Sequence, residues 1–326
     1  MTAPPLLAID GLSIEFGTPE RPIRAVSDMS LAIQAGGAVG LVGESGSGKS
    51  LSALAILRLV PPAARIAAGR ILFEGVDLLA LPPSRLPEIR GRDIAMIFQE
   101  PMSALNPLMT IGEQIGEAIL LHEDVPGPVR RQRVVDLLGR VGIPDAATRL
   151  DAYPHQFSGG MRQRAMIAMA LACGPRLLIA DEPTTALDVT IQAQVLDLIK
   201  SIRRDTGTAL LLISHDLGII ADMCERVVVM YAGRVVEAGD VRAIFRAARH
   251  PYTRGLLDSI PRLHDERRRL VQIPGAVPQP GEIAAGCPFA PRCARRIERC
   301  VAAMPPMTEF GDAHAAACWV AAEAAP

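Results

Sequence analysis

Gly43-Glu44-Ser45-Gly46-Ser47-Gly48-Lys49-Ser50 meets the pattern G-x-x-x-x-G-K-[ST] at every required position, and its reading decides the fold. Glycines let successive backbone N–H groups turn inward around phosphate oxygens, where a Cβ would block close approach. Lys49 can reach the β- and γ-phosphates of a nucleotide as a compact charge, and the Ser50 hydroxyl can ligate Mg²⁺. The flanks agree. Ala38-Val39-Gly40-Leu41-Val42 is a short apolar run of buried-strand type, and residues 51–59 favour a helix whose N-terminus would face the phosphates. The glycines run G-x-x-G-x-G, which excludes the dinucleotide fingerprint G-x-G-x-x-G. A Gly/Ser-rich turn that happens to contain Lys-Ser is the plain alternative, and the strand–loop–helix context argues against it.

Working outward, 326 residues suffice for one large α/β domain plus a smaller piece, or for two domains. A hydrophobic content of 49% supports a sizeable core, and 3% aromatic makes that core mostly aliphatic. The formal net charge of −1 gives no electrostatic case for nucleic acid. Basic character is nearly all arginine; Lys49 and Lys200 are the only lysines, so a lysine in the loop is not background. No uninterrupted apolar run approaches the ~18–20 residues of a membrane span. The nearest candidate, residues 209–220, contains His215 and Asp216. The N-terminus lacks the basic start and apolar core of a signal peptide, so a cytoplasmic chain with reduced cysteines is expected.

Leu12, Ile14 and Phe16 alternate with Ser13 and Glu15 as a half-buried strand would, residues 17–22 are turn-rich, and residues 29–33 read as the next strand. Pro61-Pro62 ends the loop helix. Residues 70–75 read as a strand into a turn, and residues 94–98 as a buried strand ending at Gln99. From residue 101 to about 157 the pattern turns helical, with helical spacing over 111–121 and 129–141. Alternation then resumes, with strands at 177–180 and 209–213, a helix over 191–202 between them, and a hairpin around Ala232-Gly233. Strands alternating with helices predict a largely parallel sheet with nucleotide at the strands' C-terminal ends.

The apolar residues 177–180 lead into Asp181-Glu182. Asp181 suits a Mg²⁺ site, and Glu182 is placed to polarise an attacking water; a solvated carboxylate pair at a strand end is the competing reading. Residues 211–213 lead into Ser214-His215, where His215 could contact the γ-phosphate, although a lone histidine is more often structural. Ser158-Gly159-Gly160 opens a helical run over 164–172 and offers a hydroxyl and free N–H groups to an anion. Alone, that tripeptide reads better as an ordinary N-cap.

Together these pieces resemble the ATP-binding subunit of an ABC transporter over essentially the whole chain. In order they supply the phosphate loop, Gln99 as the family's Q-loop, the Ser158-Gly159-Gly160 signature, Asp181-Glu182, the Thr185-Ala186-Leu187-Asp188 D-loop, and His215. The commonest signature is Leu-Ser-Gly-Gly-Gln; here Phe157 and Met161 flank Ser-Gly-Gly, and the phosphate-facing residues are kept. Met96-Ile97-Phe98-Gln99-Glu100-Pro101-Met102-Ser103-Ala104-Leu105-Asn106-Pro107 and His250-Pro251-Tyr252-Thr253-Arg254-Gly255-Leu256-Leu257 narrow the resemblance to dipeptide/oligopeptide importers. The resemblance implies ATP and Mg²⁺, the latter held by Ser50, Gln99 and Asp181, with Glu182, His215 and Gln99 catalytic. It implies Phe16 stacking on adenine, and nucleotide contacts from Gly43, Glu44, Ser45, Gly46, Ser47, Gly48, Lys49 and Ser50. It further implies a second ABC ATPase, of a paralogous kind, so that the loop of one subunit and the signature of the other sandwich each ATP. The remaining implied partners are two membrane permeases and an extracytoplasmic substrate-binding protein, placing the chain peripherally on the cytoplasmic face of a bacterial inner membrane.

The expected fold class is α/β: a P-loop ABC-type ATPase core over residues 1–249, with an antiparallel β subdomain and a helical subdomain at about 101–160. A small cysteine-bearing C-terminal extension over 250–326 follows. Four of the six cysteines fall there, as Cys287-x₅-Cys293-x₆-Cys300-x₁₇-Cys318. The tail is loop-rich, with little core of its own, and such a segment wants a staple. Four thiolates could hold zinc or an iron–sulfur cluster, or remain unligated. The spacing lacks C-x₂-C knuckles, and the resemblance points to [4Fe-4S], with His314 as a substitute ligand. Cys173 and Cys224, in apolar surroundings, read as packing residues. Rival functions are a soluble ABC ATPase of DNA repair or ribosomes, a module that binds ATP without turnover, and the same machinery importing nickel or oligosaccharides. The first usually carries two cassettes or long coiled coils in one chain, which are not seen here; Glu182 and His215 argue against the second.

Overall fold

The computed structural model describes residues 3–18, 20–185, 187–260, 272–282, 285–311 and 313–323. In chain order its strands are β1 (Leu7–Thr18), β2 (Arg21–Ile33), β3 (Ala38–Val42), β4 (Ala64–Phe73), β5 (Val76–Asp77), β6 (Ile94–Ile97), β7 (Leu177–Asp181), β8 (Ala209–Ser214), β9 (Arg226–Tyr231), β10 (Arg234–Asp240), β11 (Thr308–Glu309) and β12 (Ala315–Ala316). The chain divides into two compact units, one of residues 1–34, 38–79 and 212–326, the other of residues 35–37 and 80–211.

In the first unit, β2-β1-β4-β5 form an antiparallel sheet, as expected of the β subdomain. The sequence-predicted strands here were too short. Strand β1 starts earlier because Leu7 and Ile9 keep alternating into the core, and it runs on through Gly17 and Thr18 by pairing with Pro22 and Arg21 of β2. The same unit holds β3, all five of whose residues are buried, as a strand covered on both faces must be. Strand β9 runs parallel to β3, and β10 returns antiparallel to β9. The helix Lys49–Ile56 follows the phosphate loop and stops before Pro61, where Arg58 turns to a φ of 51°.

The C-terminal extension is more tightly built than its composition suggested. Strand β12 adds to the edge of β10, pairing Ala316 with Glu237 and Ala315 with Ala238, and β11 pairs with β12. Cys287, Phe289, Ala290, Cys300, Ala316, Ala317 and Cys318 are all buried. The correction has a physical cause. The segment has few apolar residues, but it spends them against a ready-made partner, the aromatic rings of Tyr231 and Tyr252, with Phe289 edge-on to Tyr231 at 5.2 Å.

In the second unit β6 and β7 run parallel. Its helices include Ile111–Leu120, Gly127–Arg140, Gly159–Ala170 and Val189–Thr206. The first begins in a capping box: the Thr110 hydroxyl accepts from Glu113 N–H at 3.2 Å, and the Glu113 carboxylate accepts from Thr110 N–H at 2.7 Å. Such caps stabilise by about 1 kcal/mol. The helix Gly127–Arg140 starts two residues before the expected 129, within Pro126-Gly127-Pro128, because proline is tolerated in a first turn.

Candidate functional site

Within the first unit, the phosphate loop is held from several sides. Gly43 lies against β9 so closely that a Cβ would collide with the Met230 carbonyl oxygen, and at Gly48, whose φ is +95°, a Cβ would press on Val26 at 2.9 Å. Lys49 is buried, and its ammonium donates to Gly43 O at 2.7 Å, Glu44 O at 3.0 Å and Ser47 Oγ at 3.4 Å. This curls the loop around its own cation. Ser50 is half-buried at the start of the helix Lys49–Ile56, and Ser45 and Gly46 are exposed at the loop's crown. Phe16 is half-buried on β1, between Ile23 of β2 and Ala64 of β4. His215 follows β8 and is exposed.

Three residues join this loop that carried no assigned role in the sequence. The Glu44 N–H donates to Tyr252 Oη at 2.8 Å. The Arg292 guanidinium donates to both oxygens of the Glu44 carboxylate, at 3.0 and 3.1 Å, and to Tyr231 Oη at 3.1 Å. Tyr252 lies in a stretch quoted for its resemblance. Arg292 lies in no motif, and 248 residues separate it from Glu44. Burial pushes the phenols of Tyr231 and Tyr252 up from their ordinary values, so both keep their protons at neutral pH.

Within the second unit, buried Asp181 ends β7 and half-buried Glu182 follows it. Glu182 has a φ of 44°, unusual for a residue with a side chain and characteristic of functional turns. Its Oε2 accepts from Gln99 Nε2 at 3.3 Å and from Thr185 Oγ1 at 2.8 Å. Gln99 and Thr185, which sequence reading put in separate motifs, thus meet on one carboxylate. A carboxylate held this way can accept a proton from water. Of the D-loop residues, Ala186 lies outside the described residues, and Asp188 caps the helix Val189–Thr206 by accepting from Ile191 N–H at 2.9 Å.

Ser158 is the N-cap of the helix Gly159–Ala170, its hydroxyl accepting from Met161 N–H at 3.3 Å. The helix therefore starts five residues before the sequence-predicted 164. Arg162 ties this helix to the preceding turn by donating to Pro154 O at 2.7 Å. Phe157, the departure from the common signature, is buried, whereas Ser158 and Gly159 are exposed. The cap leaves room for the anion-binding reading, since a capped helix still presents its first N–H groups outward.

Among the described residues, no group of three or more His, Cys, Asp or Glu side chains stands where it could hold a metal ion, so the arrangement does not support an iron–sulfur cluster. All six cysteines are free thiols. Cys287 N–H donates to Cys300 O at 2.7 Å, and burial, reinforced by the neighbouring Cys300, Cys318 and Cys293, pushes the Cys287 thiol up to about 11. The thiols are thus neighbours without converging. The Nε2 of His314 pairs with the buried Glu237 carboxylate at 2.7 Å. Glu237 also accepts from the N–H groups of Arg249 and His250, and these bonds outweigh its burial and hold it below the usual carboxylate range. His250 is fully buried and pushed down to about 4 by that burial, against the pull of Glu237.

Residues 26–185 match the family model described as ABC transporter, and residues 236–300 match that of the oligopeptide/dipeptide transporter C-terminal region. The chain is 51% identical to a putative peptide import ATP-binding protein of Brucella ovis over 98% of both chains. It is 49% identical to the dipeptide transport ATP-binding protein DppD of Escherichia coli K12 over 96% of both. Among solved structures it is similar to the ATP-binding cassette MJ0796, in a dimeric post-hydrolysis state bound to ADP and phosphate. That match has a TM-score of 0.65 and 27% identity, over 72% of this chain and 99% of the other.

Proposed function

This chain belongs to the ABC transporter family, among its peptide-import ATP-binding proteins, and from that membership we propose that it hydrolyses ATP to drive uptake of dipeptides or oligopeptides across a cytoplasmic membrane. The observation that carries the catalytic half is the strained turn that holds Glu182 between Gln99 and Thr185. In this proposal Glu182 takes the proton of the attacking water, Gln99 orients that carboxylate, and His215 touches the γ-phosphate. The phosphate loop from Gly43 to Ser50 wraps the triphosphate, and Phe16 stacks on the base. Ser50, Gln99 and Asp181, each by its own motif, are the Mg²⁺ contacts. When bound, the ion neutralises phosphate charge as it develops.

The exposed Ser158 and Gly159, with Gly160, are proposed to serve the nucleotide of a second, paralogous ATPase. Supporting this, a Cβ on Gly160 would press on Ile191 at 2.9 Å, while one on Gly159 would meet nothing within 4 Å. Nothing among the described residues requires Gly159 to lack a side chain. No helix among the described residues is long and apolar enough to cross a membrane. Attachment to the inner face of the membrane is therefore assigned to two permease subunits, which an extracytoplasmic binding protein supplies with cargo. The domain reading, with the ATP-binding part over 1–249 and the extension over 250–326, belongs to the same proposal.

Replacing Glu182 with Gln keeps shape and hydrogen bonding and removes the basic carboxylate. Turnover in the reconstituted assembly, with the partner ATPase silenced, should fall about 10²–10⁴-fold while ATP still binds. Near-normal turnover would remove Glu182 from the role. For the tail, the proposed cofactor is a [4Fe-4S] cluster with Cys287, Cys293, Cys300 and Cys318 as its thiolates. Soft thiolates suit iron–sulfur clusters, and the four lie near one another. About four irons per chain in protein purified without oxygen would support it; stoichiometric zinc or metal-free protein would replace it.

A further inference from the structure

The C-terminal extension carries a buried cation whose carboxylate partner sits on the phosphate loop. The Arg292 side chain is 5% exposed. Its Nε donates to Pro274 O at 2.9 Å and its Nη2 to Ile273 O at 3.1 Å, so two carbonyls of the extension fix the guanidinium in place. The rings of Tyr231 and Phe289 lie 5.7 and 5.9 Å from its central carbon. The remaining nitrogen, Nη1, is aimed at Glu44 and Tyr231. Packing alone needs no charge here, and burying a guanidinium is costly unless it is paired. The extension also meets the loop at a second place. A cavity of about 500 Å³ is lined by Gly46 of the loop, Arg24 of β2, and Pro278, Gln279 and Gly286 of the extension.

We propose that Arg292 is a positioning residue for nucleotide binding: it neutralises Glu44 and holds the phosphate loop in its turn. The inference rests on the loop binding ATP, as proposed above. Glu44 is the point of leverage because it is gripped at both ends. Its carboxylate is held by Arg292, its N–H by Tyr252, and its carbonyl oxygen accepts from Lys49. Without Arg292 a carboxylate would stand unpaired, half-buried, in a loop whose N–H groups gather a polyanion. It would repel the phosphates and be free to compete for Lys49. The extension thereby sets how well the loop binds nucleotide without touching phosphate itself.

The test is equilibrium ATP binding to the full-length chain by calorimetry, with turnover measured in the reconstituted assembly. Arg292→Gln should weaken ATP binding about 10- to 100-fold, the usual range of a coupling between sites. It should raise KM by a similar factor and leave kcat at saturating ATP within about threefold, as expected for loss of ground-state binding. Glu44→Gln in the Arg292→Gln background removes the unpaired charge and should recover most of the lost affinity. A purely structural brace would not give that rescue, because the Pro274 and Ile273 contacts stay broken. Unchanged affinity in Arg292→Gln, or a loss that Glu44→Gln does not repair, would overturn the inference. Wild-type chain that fails to bind ATP would instead overturn the function reading on which it stands.

Discussion

The phosphate loop and the Ser158-Gly159-Gly160 turn are built to the same plan and finished to different degrees. Each is a glycine-bearing turn that feeds the N-terminus of a helix, where outward N–H groups favour an anion. The loop is closed in by its own chain: β9 behind Gly43, Lys49 curled across it, Tyr252 and Arg292 gripping Glu44. The signature turn has Gly160 against Ile191, but its leading edge, Ser158 and Gly159, is exposed, and a Cβ on Gly159 would meet none of the described residues within 4 Å. A loop that must wrap a triphosphate needs its shape enforced before the ligand arrives, which lowers the ordering cost of binding. The role proposed for the signature turn, meeting a nucleotide brought by another subunit, needs accessibility instead.

One substitution, glycine to alanine, can break this comparison from either end. At Gly43 the new Cβ strikes a backbone carbonyl of β9, which cannot turn aside as a flexible side chain could. Gly43→Ala should cost about 3 kcal/mol of stability, the upper range of overpacking, and abolish measurable ATP binding; urea unfolding and calorimetry read both. A Gly43→Ala chain with ordinary stability and affinity would mean that the loop is less enclosed than its contacts imply. At Gly159 the same change should move stability by no more than about 0.5 kcal/mol, as for exposed sites. ATP binding by the chain alone should stay normal, while turnover of the paired assembly should fall by about tenfold, because the methyl blocks close approach to phosphate. Full turnover in the paired Gly159→Ala assembly would return the signature turn to an ordinary helix cap.

How much could be read ahead follows the same division. Strand β3 was bounded to the residue, and β6, β7 and β8 to within one, because strands buried on both faces are continuous apolar runs with sharp ends. The helix Gly159–Ala170 starts earlier than its sequence pattern predicts because Gly159 and Gly160 read as turn residues, and only the Ser158 cap shows that the helix includes them. Composition alone predicts a loose tail. Its core is borrowed from Tyr231 and Tyr252 and from the edge of β10, which composition within the segment could not register. Glu237 is another such case. An isolated glutamate on a strand reads as a solvated face, yet here it is wholly buried, with His314 and two backbone N–H groups around it.

By itself the amino-acid sequence determined the local chemistry of this protein: the glycine-and-lysine loop, the carboxylate pair at a strand end, the serine that caps a helix. Each is a run of a few residues whose backbone geometry and side chains act within a turn or two, so residue order alone carries it. Only the tertiary structure decided which of these pieces hold one another. It set Gln99 and Thr185 on Glu182, kept the tail thiols adjacent but unconverged, and brought Arg292 across 248 positions to Glu44. Those pairings depend on where β9, β10 and the extension pack, and packing is the sum of many weak contacts over the chain, with no local pattern to announce which distant charge will meet which.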